Sequence, residues 1–162
     1  MRKFFIELEN KIRTKNDLLF YLEEIDLTME LILSDSERSL SEKLAGRNVG
    51  DLTDMLLRRG EGQTLDDLDQ QVFFLQLLKK YISALPQIRI EIAFRPEEAT
   101  LDKISDWLKK ELKEKTIIDL VINPNHVGGA VIEYKGKWKN FSLSKRIKEL
   151  EINRLVEEYS HE

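Results

Sequence analysis

The side chains that could do chemistry in this sequence form an acidic cluster, a loop histidine, a glycine pair and a basic run. Asp66, Asp67 and Asp69 follow Thr64 at the start of a helical pattern. Carboxylates there complement the helix dipole, and a paired general acid and base would need a pocket that the sequence does not mark. His126 lies beside Asn125 and near Asn123, but the only other histidine is His161. A metal site or a proton-transfer role would lack partners. Gly128-Gly129 is not a phosphate-binding fingerprint, because no Gly-Lys-Ser follows and the next segment reads as strand. Residues 135–148 hold Lys135, Lys137, Lys139, Lys145, Arg146 and Lys148 with no acid among them, interleaved with Trp138 and Phe141. Such a run could hold phosphates and stack bases. The favoured reading is a solvated turn and helix face with its aromatics packed inward, because opposite charges on neighbouring helices often neutralise such patches. No residue is assigned a catalytic or metal-ligating role, and no cofactor is expected.

Composition narrows the classes further. Of 162 residues, 41% are apolar and 35% charged, as in a soluble protein with a core and many solvated helix faces. There is no cysteine, which excludes disulfides, thiolate metal sites and cysteine nucleophiles and points to a reducing compartment. No apolar run approaches the ~18–20 residues that span a bilayer. The start, Met1-Arg2-Lys3-Phe4-Phe5-Ile6-Glu7, lacks the apolar core of a signal peptide. The expected location is cytoplasmic. Residues 1–86 carry twelve basic and sixteen acidic side chains, whereas residues 87–162 carry fourteen of each.

The elements that must position these groups follow from hydrophobic period. Phe4, Phe5, Leu8 and Ile12 predict a helix over 3–13. Thr14 three residues before Asp17 is a capping arrangement with Asp in place of Glu. The helix it opens runs to about Leu33, with Leu18, Leu22, Ile25, Met29 and Ile32 on one face. Short helices are expected over 37–45 and about 50–59, the latter presenting Leu52, Met55 and Leu56. From Thr64 to Pro86 the stripe Leu65, Leu68, Val72, Leu75, Leu78, Ile82 and Leu85, widened by Phe74, Leu77 and Tyr81, predicts a helix buried on more than one side. At Pro86 the period changes to two, with Ile88, Ile90 and Ile92 alternating with Arg89 and Glu91. A helix opening near Pro96 carries Leu101, Ile104, Leu108 and Leu112. The expected class is therefore α+β. A helical bundle over 1–86 precedes a small mixed domain over 87–162, with a βαβ unit, a hairpin and a C-terminal helix carrying Ile147 and Leu150.

The sharpest stretch is Ile117–Gly136. Two apolar strands, Ile117–Ile122 and Ala130–Tyr134, flank a loop with Pro124, which cannot donate to a sheet ladder, and with Gly128-Gly129. The run LVINPNHVGGAVIEYKG resembles the signature of the delta subunit of F-type ATP synthases, whose mitochondrial counterpart is the oligomycin-sensitivity-conferring protein. Val127-Gly128-Gly129 and Ala130-Val131-Ile132 match it directly. Beyond, the family has an Asp, a small residue and a Ser before a basic final helix. Here Asn140, Phe141 and Ser142 stand in those places, followed by Lys145, Arg146, Ile147 and Leu150. Asn140 and Phe141 depart from the pattern, and the helical part is shorter than the family's six-helix domain. The resemblance covers roughly residues 86–152.

What the resemblance implies is a non-catalytic stator component without a small-molecule substrate. The family's helical domain grips the N-terminal helix of a head alpha subunit, and its C-terminal region engages the C-terminal end of the peripheral-stalk b subunit. Phe4, Phe5, Leu8 and Ile12 are then the expected head contact. Trp107, Trp138, Phe141, Ile147 and Leu150 are the expected stalk contact. Pro124, Val127, Gly128, Gly129, Asn140 and Ser142 are structural. The protein would meet a membrane only through the complex. The competing expectation is an RNA-binding or ribosome-associated module using residues 135–148, and a third is an enzyme with an unmarked carboxylate site.

Overall fold

In the computed structural model, which describes residues 2–34, 52, 55, 56, 68–126 and 128–143, Thr14 and Asp17 close a reciprocal cap. The Asp17 Oδ2 accepts the backbone N–H of Thr14 at 2.8 Å and that of Arg13 at 3.0 Å. The Thr14 Oγ1 accepts the Asp17 N–H at 3.2 Å. Donors that a helix start leaves unpaired are thus satisfied by two side chains of the expected type. The cap also stops the preceding helix early. α1 spans Arg2–Lys11 rather than reaching residue 13, and α2 spans Lys15–Ser34.

The chain divides into two units, Met1–Leu85 and Pro86–Glu162. In the first, α2 packs against α3 (Leu68–Ser83). Their buried side chains recur at helical spacing: Leu18, Ile25 and Ile32 on α2, and Phe74, Leu75, Leu78 and Ile82 on α3. Leu52, Met55 and Leu56 are buried as well, and the Leu52 N–H reaches the carboxylate of buried Glu24 at 3.4 Å. The expected helix 37–45, most of the expected helix 50–59 and the Thr64 cap with Asp66 and Asp67 lie outside the described residues. Leu77, expected to widen the buried stripe of α3, faces outward instead.

The second unit is built on a four-stranded mixed sheet of order β2-β1-β3-β4. Its strands are β1 (Gln87–Ile92), β2 (Ile117–Ile122), β3 (Ala130–Tyr134) and β4 (Lys137–Asn140). β1 and β2 are parallel and joined through α4 (Glu98–Leu112), whereas β1–β3 and β3–β4 are antiparallel. Alternation along the strands gives the sheet two unlike faces. Ile88, Ile90, Ile118, Ile132 and Tyr134 share one face with Ile104, Leu108 and Leu112 of α4. Arg89, Glu91, Asp119, Glu133 and Trp138 fall on the other by register. α4 begins two residues after Pro96, with Glu97 as its N-cap in an extended conformation, and ends on Lys113 in the left-handed region. The C-terminal helix expected from Ile147 and Leu150 lies outside the described residues.

Replacing Thr14 by alanine removes one half of the reciprocal cap. The variant should unfold with a loss of about 1 kcal/mol in urea titration.

Candidate functional site and interaction surfaces

The β2–β3 connection is fastened at both ends by groups distant in sequence. At its start the Asn123 N–H donates to the Ile92 carbonyl at 2.8 Å, continuing the parallel ladder one step beyond β2. The Asn123 Oδ1 accepts the Asn125 N–H at 3.1 Å, turning the chain around Pro124. The Asn123 Nδ2 donates to Glu91 Oε1 at 2.6 Å, and the same oxygen lies 2.8 Å from His126 Nε2. Glu91 belongs to β1, on the face away from α4. These hydrogen bonds, first from Asn123 and then from His126, hold its carboxyl below the ordinary 4.5.

At its end the connection crosses the chain leaving β4. Gly129 has φ +80°, and a Cβ there would lie 2.3 Å from the Phe141 carbonyl oxygen and 2.9 Å from the Ser142 Cα. Only glycine fits both the dihedral and the gap. The crossing is then hydrogen-bonded on each side, Phe141 N–H to the Ala130 carbonyl at 2.8 Å and Leu143 N–H to the Gly128 carbonyl at 2.9 Å. The Asn140 Oδ1 accepts the Ser142 N–H at 2.8 Å. An aspartate would present the same acceptor, so Asn140 keeps the turn that the family's Asp implies. Ser142 is buried and Phe141 exposed, which is how a bulky residue is accommodated in the place of a small one.

Exposure separates the expected contact residues. Phe4, Leu8 and Ile12 are buried. As members of the core they hold α1 in place and present no surface to a partner, which corrects the expectation drawn for them. The reason is simple amphipathicity: positions 4, 8 and 12 form one line along the helix, and that line faces inward. Phe5 is half-buried. Its ring meets Phe74 edge-on at 5.9 Å and Tyr81 at 4.9 Å, while Phe4 also meets Phe74 at 5.5 Å. The Tyr81 hydroxyl donates to the Glu9 carboxylate. That bond, with burial and the Glu9 charge, pushes the phenol up to about 12. Leu77, three residues after Phe74 and four before Tyr81, lies on this flank of α3 and is 40% exposed. Phe73, one turn earlier, is 65% exposed. Phe5, Phe73, Leu77 and Tyr81 thus mark an apolar seam along α1 and α3. Sequence reasoning passed over Phe73, whose signal was an aromatic off the buried stripe.

In the second unit Trp107, Trp138 and Phe141 are all more than half exposed. They do not form one surface. Trp138 pairs with Glu133 in register and lies on the face opposite α4, the helix that carries Trp107. Ile147, Leu150 and Val127 lie outside the described residues, and Pro124 is exposed in the loop. The basic run is partly neutralised. Lys135 donates to Glu114 at 2.8 Å and Tyr134 does so at 2.5 Å, which raises the lysine and lowers the carboxyl. Among the described residues no group of three or more His, Cys, Asp or Glu side chains could hold a metal ion.

A family model for the ATP synthase delta (OSCP) subunit matches residues 22–153. The chain belongs to that family. It is a subunit of an F-type ATP synthase. No curated protein matches the chain. A chain in the cryo-EM structure of Polytomella F-ATP synthase, primary rotary state 3, is similar at 20% identity, with a TM-score of 0.37 over 44% of this chain and 95% of that one. In this delta-family chain the matched span includes the whole glycine-paired loop and its crossing with residues 140–143.

Two measurements follow from this geometry. Gly129→Ala forces both a strained dihedral and a clash with backbone, so it should lose more than about 2 kcal/mol in urea unfolding. Glu91, held below its ordinary value, contributes stability that is fully present above its unfolded pKa and is lost as pH falls through the lower folded one. The gap in urea midpoint between the natural chain and Glu91→Gln should therefore be largest above the ordinary carboxylate range and close as pH falls below it.

Proposed function

We propose that this subunit is the non-catalytic stator link of its ATP synthase, joining the catalytic head to the peripheral stalk while the rotor turns during proton-driven synthesis. The observation that carries the reading is membership of the delta (OSCP) family across 22–153. The distribution of exposed apolar side chains supports it. On the helical unit the head contact is the seam of Phe5, Phe73, Leu77 and Tyr81, where an amphipathic helix from the N-terminus of an alpha subunit would lay its apolar face. Buried Phe4, Leu8 and Ile12 give that seam its shape. On the second unit the stalk contact, for the C-terminal end of the b subunit, uses Trp107 on α4 or Trp138 and Phe141 at β4. Large aromatics of this kind dominate binding energy when a partner buries them.

No helix among the described residues is long and apolar enough to cross a membrane. In this reading the subunit is peripheral, on the cytoplasmic side, and reaches the membrane only through its partners. It acts by holding two bodies together, and it needs neither substrate nor cofactor.

Purification of the tagged protein from its native membranes in mild detergent tests the proposal. Head alpha and beta subunits and stalk b should be recovered together. Leu77→Glu with Phe73→Glu should lose the head subunits by about tenfold or more while retaining b. Trp107→Ala, or Trp138→Ala with Phe141→Ala, should show the reverse. Recovery of RNA or ribosomal proteins, lost together at raised salt, would overturn the reading and make the lysines of residues 135–148 the functional group.

A further inference from the structure

The outward side of α2 carries an arrangement that neither the core nor the α1–α3 seam uses. Leu19, Phe20, Leu27 and Leu33 are between 51% and 62% exposed, although each is large and apolar. At 3.6 residues per turn they fall on two lines, Leu19 with Leu33 and Phe20 with Leu27, about 21 Å from first to last. Between those lines run Glu23 and Glu30, and Asp26 falls on the Leu19–Leu33 line. Asp26 is paired with Lys79 of α3 at 2.6 Å. Glu23 and Glu30 are exposed and make no ion pair among the described residues. After Lys15 the helix has no basic residue at all.

Scattered exposed leucines are ordinary, but four large apolar groups flanking one acidic ridge are a contiguous surface. We propose that the outer face of α2 is a second docking surface, and that its occupant is a basic amphipathic helix of another polypeptide. Charge decides the occupant. A second copy of this face would set Glu23 and Glu30 against their own kind, and an acidic helix would do the same, each at a cost in like-charge repulsion. A helix with lysine or arginine along its centre neutralises the ridge while its apolar flanks cover Phe20, Leu27, Leu19 and Leu33. The surface is independent of the head contact proposed above, which uses other helices.

The test uses the full chain and a labelled 18-residue peptide of leucine and lysine, with leucine at helical spacing, read by fluorescence anisotropy. The peptide should bind, more weakly as salt rises. Phe20→Ser with Leu27→Ser should weaken it by about tenfold or more, as loss of buried anchors does. Glu23→Lys with Glu30→Lys should weaken it at least as much, and Leu77→Glu should leave it unchanged. Far-UV circular dichroism confirms that each variant is folded, and if the serine pair is not, the lysine pair decides alone. No binding, binding equal in the natural chain and the lysine pair, or equal binding of the matching leucine–glutamate peptide would each overturn the proposal. A dimer in sedimentation that is abolished by the serine pair would also overturn it, by assigning the face to a second copy.

Discussion

The close passage of Gly129 over the backbone of Phe141 and Ser142 is the constraint on which the second unit depends. There is no room between the two strands of chain for even one side-chain carbon. That single absence lets Leu143 and Phe141 donate to carbonyls of the preceding connection and lets Asn140 close its own turn. It places the end of β4 against the start of β3 and so completes the sheet on that side. The opposite end of the same connection is held by polar groups instead. Glu91 gathers Asn123 and His126 onto one carboxylate oxygen, at the edge of the face that α4 does not cover. Steric fit and charge-assisted hydrogen bonding thus fasten one loop from two directions.

The helical unit follows a different logic. Its first helix is short, and an isolated ten-residue helix is marginal in water. Phe4, Leu8 and Ile12 give it an inward line, and Phe5 locks its flank to Phe74 and Tyr81 by edge-on ring contacts. Burying the conspicuous aromatics leaves recognition to the residues beside them. This is why the seam proposed for the head consists of a half-buried ring and the outward members of α3, while the strongest apolar positions serve the core.

Charge organises the remaining surface. On α2, Glu23 and Glu30 stand exposed between apolar side chains, and Asp26 is matched by Lys79 of the same unit. In the second unit Lys135 is matched by Glu114, across the end of α4. The first lysine of the run that looks like a nucleic-acid stripe in one dimension is therefore neutralised by an acid distant in sequence. The proposed role as a mechanical link needs several independent contacts, and both units expose large apolar side chains.

Much of the fold was legible without coordinates because it rests on local physics. The Thr14–Asp17 cap, the change of period at Pro86 and the alternation in Ile88–Ile92, Ile117–Ile122 and Ala130–Tyr134 depend on neighbours within a few residues. So did the glycine pair and its family, since a missing side chain is visible as a letter. What the tertiary structure decided was which of several apolar residues face inward. Phe4 and Phe5 are the same residue type, adjacent in sequence, yet one is core and the other is half-exposed, because the packing of α1 on α3 selects between them. Glu91 and His126 are 35 positions apart, and only the register of β1 with β2 and the turn at Pro124 brings them together. The family resemblance puts Trp107 and Trp138 in one expected stalk contact, and the two faces of the sheet separate them. Burial and pairing across long sequence separation are properties of the assembled chain, and no local pattern contains them.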